Sequence, residues 1–121
     1  PALPALMRSA KVQQKAAKVG FDWPDVEGAL SKVEEELGEL KEAIRNGGEE
    51  SRREELGDLL FSVVNVSRFL KVEPEQSLTE ACNKFIRRFS QVEELAKERG
   101  VDMGSAALEE LDGLWDEAKK V

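Results

Sequence analysis

Carboxylates are the reactive groups this chain has in quantity, and they come in a repeated pattern. Glu35-Glu36-Leu37-Gly38-Glu39-Leu40 recurs as Glu54-Glu55-Leu56-Gly57-Asp58-Leu59. Residues three apart are neighbours on a helix surface. Each copy therefore sets out a carboxylate pair, Glu36 with Glu39 and Glu55 with Asp58. Two such pairs brought together make a nest of four negative charges that calls for a cation. Hard oxygen ligands of this kind suit Mg²⁺, with Mn²⁺ as a substitute or Ca²⁺ as a further hard ion. The chain has no His and a single Cys, which removes di-iron sites built on Glu-x-x-His pairs and the usual zinc sites. No EF-hand spacing is present. A base without His must be a carboxylate or a water acidified by a metal.

The elements that must position these acids read as five helices. The first runs from Ala5 to Val19 and stops at Gly20, a favoured residue just past a helix end. After the link Phe21-Asp22-Trp23, Pro24 suits the first turn of a second helix. Its apolar residues Val26, Leu30, Val33, Leu37, Leu40 and Ile44 trace one amphipathic stripe, broken at Asn46-Gly47-Gly48. The third helix covers Glu50 to Leu70, and its broadly apolar middle, residues 59–64, reads as the most buried stretch. Pro74 marks a turn. Ser77-Leu78-Thr79-Glu80 reads as a capping box opening the fourth helix, which ends at Gly100. The last helix begins near Ser105 and carries Leu108, Leu111 and Trp115. No strand pattern, linker or low-complexity tract interrupts this all-α reading of one domain over residues 1–121.

Wheel geometry at about 100° per residue places both acid pairs on the same-handed shoulder of their helices, with offsets agreeing to within about 20°. A short Gly-rich loop makes the two helices antiparallel neighbours. Their pseudo-two-fold relation turns both shoulders to one side, so the four carboxylates converge. Gly38 and Gly57 sit in mid-helix, where Gly costs about 1 kcal/mol relative to Ala. Their presence predicts that another helix approaches closely there.

Cations and an aromatic complement the acids. Lys32 lies one turn before Glu36, Lys84 and Arg88 are i, i+4 on the fourth helix, and Trp115 and Lys119 are i, i+4 on the last. Singly, each reads as a surface charge or a core aromatic. With the acidic nest they suggest a polyanion held between metal and cations, with a stacking face for a base. The net charge of −7 argues against a nucleic-acid polymer as partner. No apolar run nears the roughly 20 residues that span a bilayer. The lone Cys82 permits no intrachain disulfide, and no charged-then-apolar leader opens the chain, so a cytoplasmic setting is expected.

Lys32-Val33-x-Glu35-Glu36-x-x-Glu39 followed by Glu54-Glu55-x-Gly57-Asp58-Leu59-Leu60-Phe61 resembles the MazG-type nucleoside triphosphate pyrophosphohydrolases, within the all-α NTP pyrophosphatase superfamily. Leu3-Pro4-Ala5-Leu6-Met7, Val19-Gly20-Phe21-Asp22-Trp23 and Asn83-Lys84-Phe85-x-Arg87-Arg88-Phe89 extend the resemblance over nearly the whole chain. It implies Mg²⁺-dependent hydrolysis of a nucleoside triphosphate to monophosphate and pyrophosphate, by water attack at the α-phosphorus. By matching positions it implies Glu36, Glu39, Glu55 and Asp58 as metal ligands, with Glu35 and Glu36 catalytic. It implies nucleotide contacts from Lys32, Glu35, Glu54, Lys84, Arg88, Trp115 and Lys119. A homodimer whose helices share a four-helix core is implied too. The chain, opening at Pro1, resembles the C-terminal copy of a tandem pair, as from a longer protein. Two other readings compete: a narrow hydrolase of dUTP, dCTP or damaged nucleotides, and a non-catalytic helical dimerisation module whose acids are merely solvated.

Overall fold

A computed structural model describes residues 3–120. Among them every regular element is a helix: α1 Ala5–Lys18, α2 Val26–Asn46, α3 Glu49–Leu70, α4 Pro74–Glu98 and α5 Leu108–Ala118. The all-α expectation therefore holds. The chain forms two compact units, one running to Ser77 and one beginning at Leu78.

In the first unit α3 packs against α2 along much of its length and more briefly against α1. The Asp25 carboxylate caps α2, accepting from the backbone N–H of Glu27 at 3.1 Å and of Gly28 at 3.4 Å. Pro24 consequently lies outside the helix rather than in its first turn, because a side-chain acceptor satisfies the orphan amide groups directly. At the other end of α2, Arg52 donates from Nε to Ala43 O at 3.2 Å and from Nη2 to Ile44 O at 2.9 Å. These bonds close the two-residue turn to α3. Gly47 is required in that turn, since a Cβ there would stand 2.9 Å from Ala43 O.

The predicted apolar stripe of α2 divides in two. Ala29, Glu36 and Ala43, spaced in heptads, are its buried residues, flanked by the half-buried Val26, Val33 and Leu40. This is the pattern of a helix–helix seam. Leu30, Leu37 and Ile44 stay exposed. The middle of α3 is likewise less buried than its composition suggested. Only Ser62 and Val64 are buried there, while Leu60 is 52% exposed and Phe61 and Val63 are similar. A helix apolar all round needs neighbours on every side, and within its unit α3 is covered chiefly by α1 and α2. Gly38 and Gly57 are open, for a Cβ at either would meet nothing within 4 Å. Among the described residues nothing makes the close approach expected there.

In the second unit, α4 and α5 enclose a small core of Val92, Ala96, Leu114 and Ala118. The helix α4 starts at Pro74, not at Ser77. Proline suits a first helical position, and the Glu73 carboxylate accepts from the Gln76 amide at 2.6 Å. The Ser77–Glu80 box thus falls inside the helix. Ser105 does not open α5 either. Its hydroxyl donates to Asp102 Oδ2 at 3.0 Å, holding a turn that defers the helix to Leu108.

Candidate metal centre and adjoining cleft

Heptad packing along the α2–α3 seam draws an acid into the interface. Glu36 takes the position between Ala29 and Ala43 and is only 9% exposed. From the facing helix come Glu55 and Asp58. The three residues each offer a carboxylate oxygen within 4.8 Å of the other two. Glu39 is not part of this trio, so the structure gathers three of the four expected acids. Glu39 and Glu54 remain near enough to act on Glu55 through their charge.

The electrostatics match the geometry. The Glu55 carboxyl is pushed above its ordinary range, first by desolvation and then by Asp58, Glu36, Glu39 and Glu54. Like charges so close disfavour joint ionisation unless a cation intervenes. Lys32 supplies one positive charge, with Nζ 2.9 Å from Glu35 Oε2 and 3.2 Å from Glu36 Oε1. These two hydrogen bonds, that to Glu35 first, raise the lysine pKa and keep it charged. Three carboxylates against one ammonium leave a net negative site made of oxygen donors alone. That donor set fits a hard divalent ion and lacks the nitrogen or sulfur that zinc or copper favours.

Two of the trio, Glu36 and Asp58, line a cavity of about 680 Å³ together with Lys32. Its other walls come from α1, the α1–α2 link and α3. Phe21, Trp23 and Phe61 make the aromatic part, and Gln13, Asn65 and Arg68 the polar part. The link is pinned from α3, where Arg68 donates to both carboxylate oxygens of Asp22, Nη1 to Oδ2 at 3.1 Å. This bond holds the Asp22 carboxyl below the usual carboxylate range. Trp23 lies against the first turn of α2, where a side chain at Gly28 would collide with the indole at 2.9 Å.

Of the other residues singled out in the sequence, Lys84, Arg88, Trp115 and Lys119 belong to the second unit. There Trp115 packs on the small core and tilts against Phe85, with ring centroids 5.3 Å apart. The cleft residues Gln13 and Arg68 carried no sequence signal, and Asp22 stood out only within the Val19–Trp23 link motif. Arg68 and Asp22 are far apart in the chain and share no periodic pattern.

An all-helical chain with a carboxylate cluster across a helical hairpin and a cleft beside it defines a class: helical proteins equipped for a hard divalent cation. Residues 25–93 match the MazG nucleotide pyrophosphohydrolase domain, and the chain belongs to that family. It is 48% identical over 119 residues to the nucleoside triphosphate pyrophosphohydrolase/pyrophosphatase MazG of Thermotoga maritima, covering 98% of this chain and 46% of that protein. It is 40% identical over 120 residues to the nucleoside triphosphate pyrophosphohydrolase of Escherichia coli K12, again covering 98% of this chain and 46% of the relative. The chain thus spans about half the length of the curated relatives it matches. No helix is long and apolar enough to cross a membrane among the described residues.

Proposed function

We propose that the chain hydrolyses nucleoside triphosphates to monophosphate and pyrophosphate, with water attacking the α-phosphorus and Mg²⁺ as cofactor. The observation that carries this reading is the trio of carboxylates within 4.8 Å of one another at the mouth of a cleft. Glu36, Glu55 and Asp58 would hold the cation, with Glu39 beside them, and Mn²⁺ would substitute. Bound there, the ion supplies Lewis-acid charge to the triphosphate oxygens and acidifies water.

The chain's own groups do the rest. Glu35, positioned by Lys32, orients the attacking water and takes its proton. The net negative charge of the cluster disfavours an anion that arrives without a cation. Lys84, Arg88 and Lys119 balance charge on the departing pyrophosphate, the usual electrostatic contribution in phosphoryl chemistry. Trp115 and Glu54 contribute to nucleotide binding. Residues 1–121 act as one catalytic domain in a cytoplasmic setting.

The exposed apolar line Leu30, Leu37 and Ile44, together with Leu56, Leu60 and Val63 on α3, supports a homodimer whose helices complete a four-helix core. Large apolar patches on soluble proteins mark interaction surfaces.

The test is to incubate the chain with Mg²⁺ and an NTP in ¹⁸O-labelled water and identify products. Monophosphate carrying the label, with unlabelled pyrophosphate, supports the reading. Label in pyrophosphate moves the attack to the β-phosphorus, and diphosphate with phosphate refutes the assigned reaction.

A further inference from the structure

The chain is acidic overall, with a net charge of −7, yet α1 carries no acid. Its charged residues are Arg8, Lys11, Lys15 and Lys18. Steps of three, four and three keep them within about 80° of one another on the helix wheel, in a row about 15 Å long. All four are exposed. Among the described residues none of their side chains enters an ion pair or a hydrogen bond. The buried Gln13 lies on the opposite side of the helix, so α1 packs on α3 and turns its cations outward.

A row of the opposite sign stands on α5. Glu109, Asp112 and Asp116 follow steps of three and four and fall within about 60° on the wheel. They too are exposed, and among the described residues they are unpaired. Glu117 lies outside the row and is held by Arg99. Each row is edged by an exposed apolar residue, Val12 at 49% on α1 and Leu108 at 72% on α5. Laid antiparallel, the two helices match step for step, with Lys18 opposite Glu109, Lys15 opposite Asp112 and Lys11 opposite Asp116. That sense also sets the basic last turn of α1 against the acidic first turn of α5 and opposes the two helix dipoles. Arg8 falls beyond these three pairs, opposite Lys119.

We propose that α1 of one copy of this chain docks along α5 of a second copy through these charge rows, which select the partner copy and set its register. The inference rests on the homodimer reading given above and goes beyond its apolar contact. Exposed ion pairs add little affinity one by one. Three in register act chiefly on the rate of encounter and on the choice of partner. A two-fold dimer makes the contact twice, once in each direction.

The test is the dimer dissociation constant of the full chain, measured by sedimentation equilibrium at low salt and again in about 0.5 M salt, where such charges are screened. Two double variants reverse the rows, Lys11→Glu with Lys15→Glu and Asp112→Lys with Asp116→Lys. Each is expected to keep its helical circular dichroism, to weaken the homodimer about tenfold at low salt, and to match the wild type at high salt. The second variant lowers the net charge, so general repulsion would strengthen its dimer and weakening there reports the local contact. Mixing the two variants is expected to restore wild-type affinity, because each reversed row then meets its complement on the other chain. Arg8→Glu is expected to leave the dimer no weaker. A dimeric wild type matched by both double variants overturns the inference and makes the rows solvated surface. Weakening without recovery on mixing also overturns it, as for a pairing within one chain. So does an unchanged dimer in the α1 variant together with lost binding to anionic vesicles or a single-stranded oligonucleotide, which gives the row to a polyanion. A monomeric wild type would overturn the homodimer reading itself, and this inference with it.

Discussion

Glu55 and Glu117 are both carboxylates on amphipathic helices, and their surroundings drive them in opposite directions. In the second unit Arg99 grips Glu117 with both guanidinium nitrogens, Nη2 to Oε1 at 3.0 Å. That hydrogen bond, first among the causes, lowers the Glu117 pKa. In the first unit Glu55 faces Asp58, Glu36 and Glu39, and desolvation and those charges raise its pKa. The fold has guanidinium groups at its disposal and uses them at Asp22 and Glu117. It leaves the α2–α3 cluster short of positive charge. Carboxylates that serve the fold are matched by the fold, while those kept in mutual repulsion are the ones proposed to take a cation from outside.

The largest effect that tests this contrast is on turnover. Glu36→Gln and Asp58→Asn should retain their helical circular dichroism and lose Mg²⁺-dependent pyrophosphate release by more than about 100-fold, beyond the range typical of outer-shell partners of a metal. Full activity in both would make the cluster a solvated face. Next in size is stability. Mg²⁺ at about 100 times its Kd should stabilise the chain by about 2.7 kcal/mol, read as a rise in Tm. Glu36→Gln should abolish that rise and Arg99→Ala should preserve it.

The pH dependence should also separate the two acids. A raised folded-state pKa means that ionised Glu55 opposes folding, so its penalty grows as pH rises from 4.5 through the folded value. Glu55→Gln should therefore stabilise the metal-free chain at pH 7, with the gain vanishing near pH 4.5. Glu117, with its pKa lowered, stabilises above pH 4.5 and loses that contribution as pH falls through the folded value. Glu117→Gln should accordingly destabilise at pH 7, less so in high salt, because the pair is solvent-accessible. Thermal melts from pH 4 to 8 would show whether the two variants move in opposite senses. Smallest of all, Gly38→Ala should raise stability by up to about 1 kcal/mol, since none of the described residues occupies the space beside it. A loss instead would report an outside neighbour packed there.

The helices and the acid cluster were legible in the sequence because both rest on local spacing. Alternating steps of three and four found α2, and the duplicated Glu-Glu-Leu-Gly motif found Glu36, Glu55 and Asp58. What escaped depends on pairing at long range. Periodicity cannot tell which of two adjacent apolar lines on α2 meets α3, so Leu30, Leu37 and Ile44 were grouped with Val26, Val33 and Leu40. The wheel placed Glu39 with Glu36, but a cluster needs distance as well as direction, and Glu39 falls outside it. Helix starts shifted wherever a nearby acid out-competed the expected cap, as Asp25 and Glu73 do. Gln13 could not have been found, because a single amide on a mostly exposed helix carries no pattern until Phe61 O is seen opposite it.

The bridge from Lys32 to Glu35 and Glu36 has a consequence for the cluster. Its hydrogen bonds to Glu35 and then Glu36 raise the lysine pKa and keep a positive charge beside the acids. A divalent ion binding at the cluster would meet a tethered cation rather than bare carboxylates. The same ammonium offsets part of the negative charge that the α2–α3 hairpin brings together.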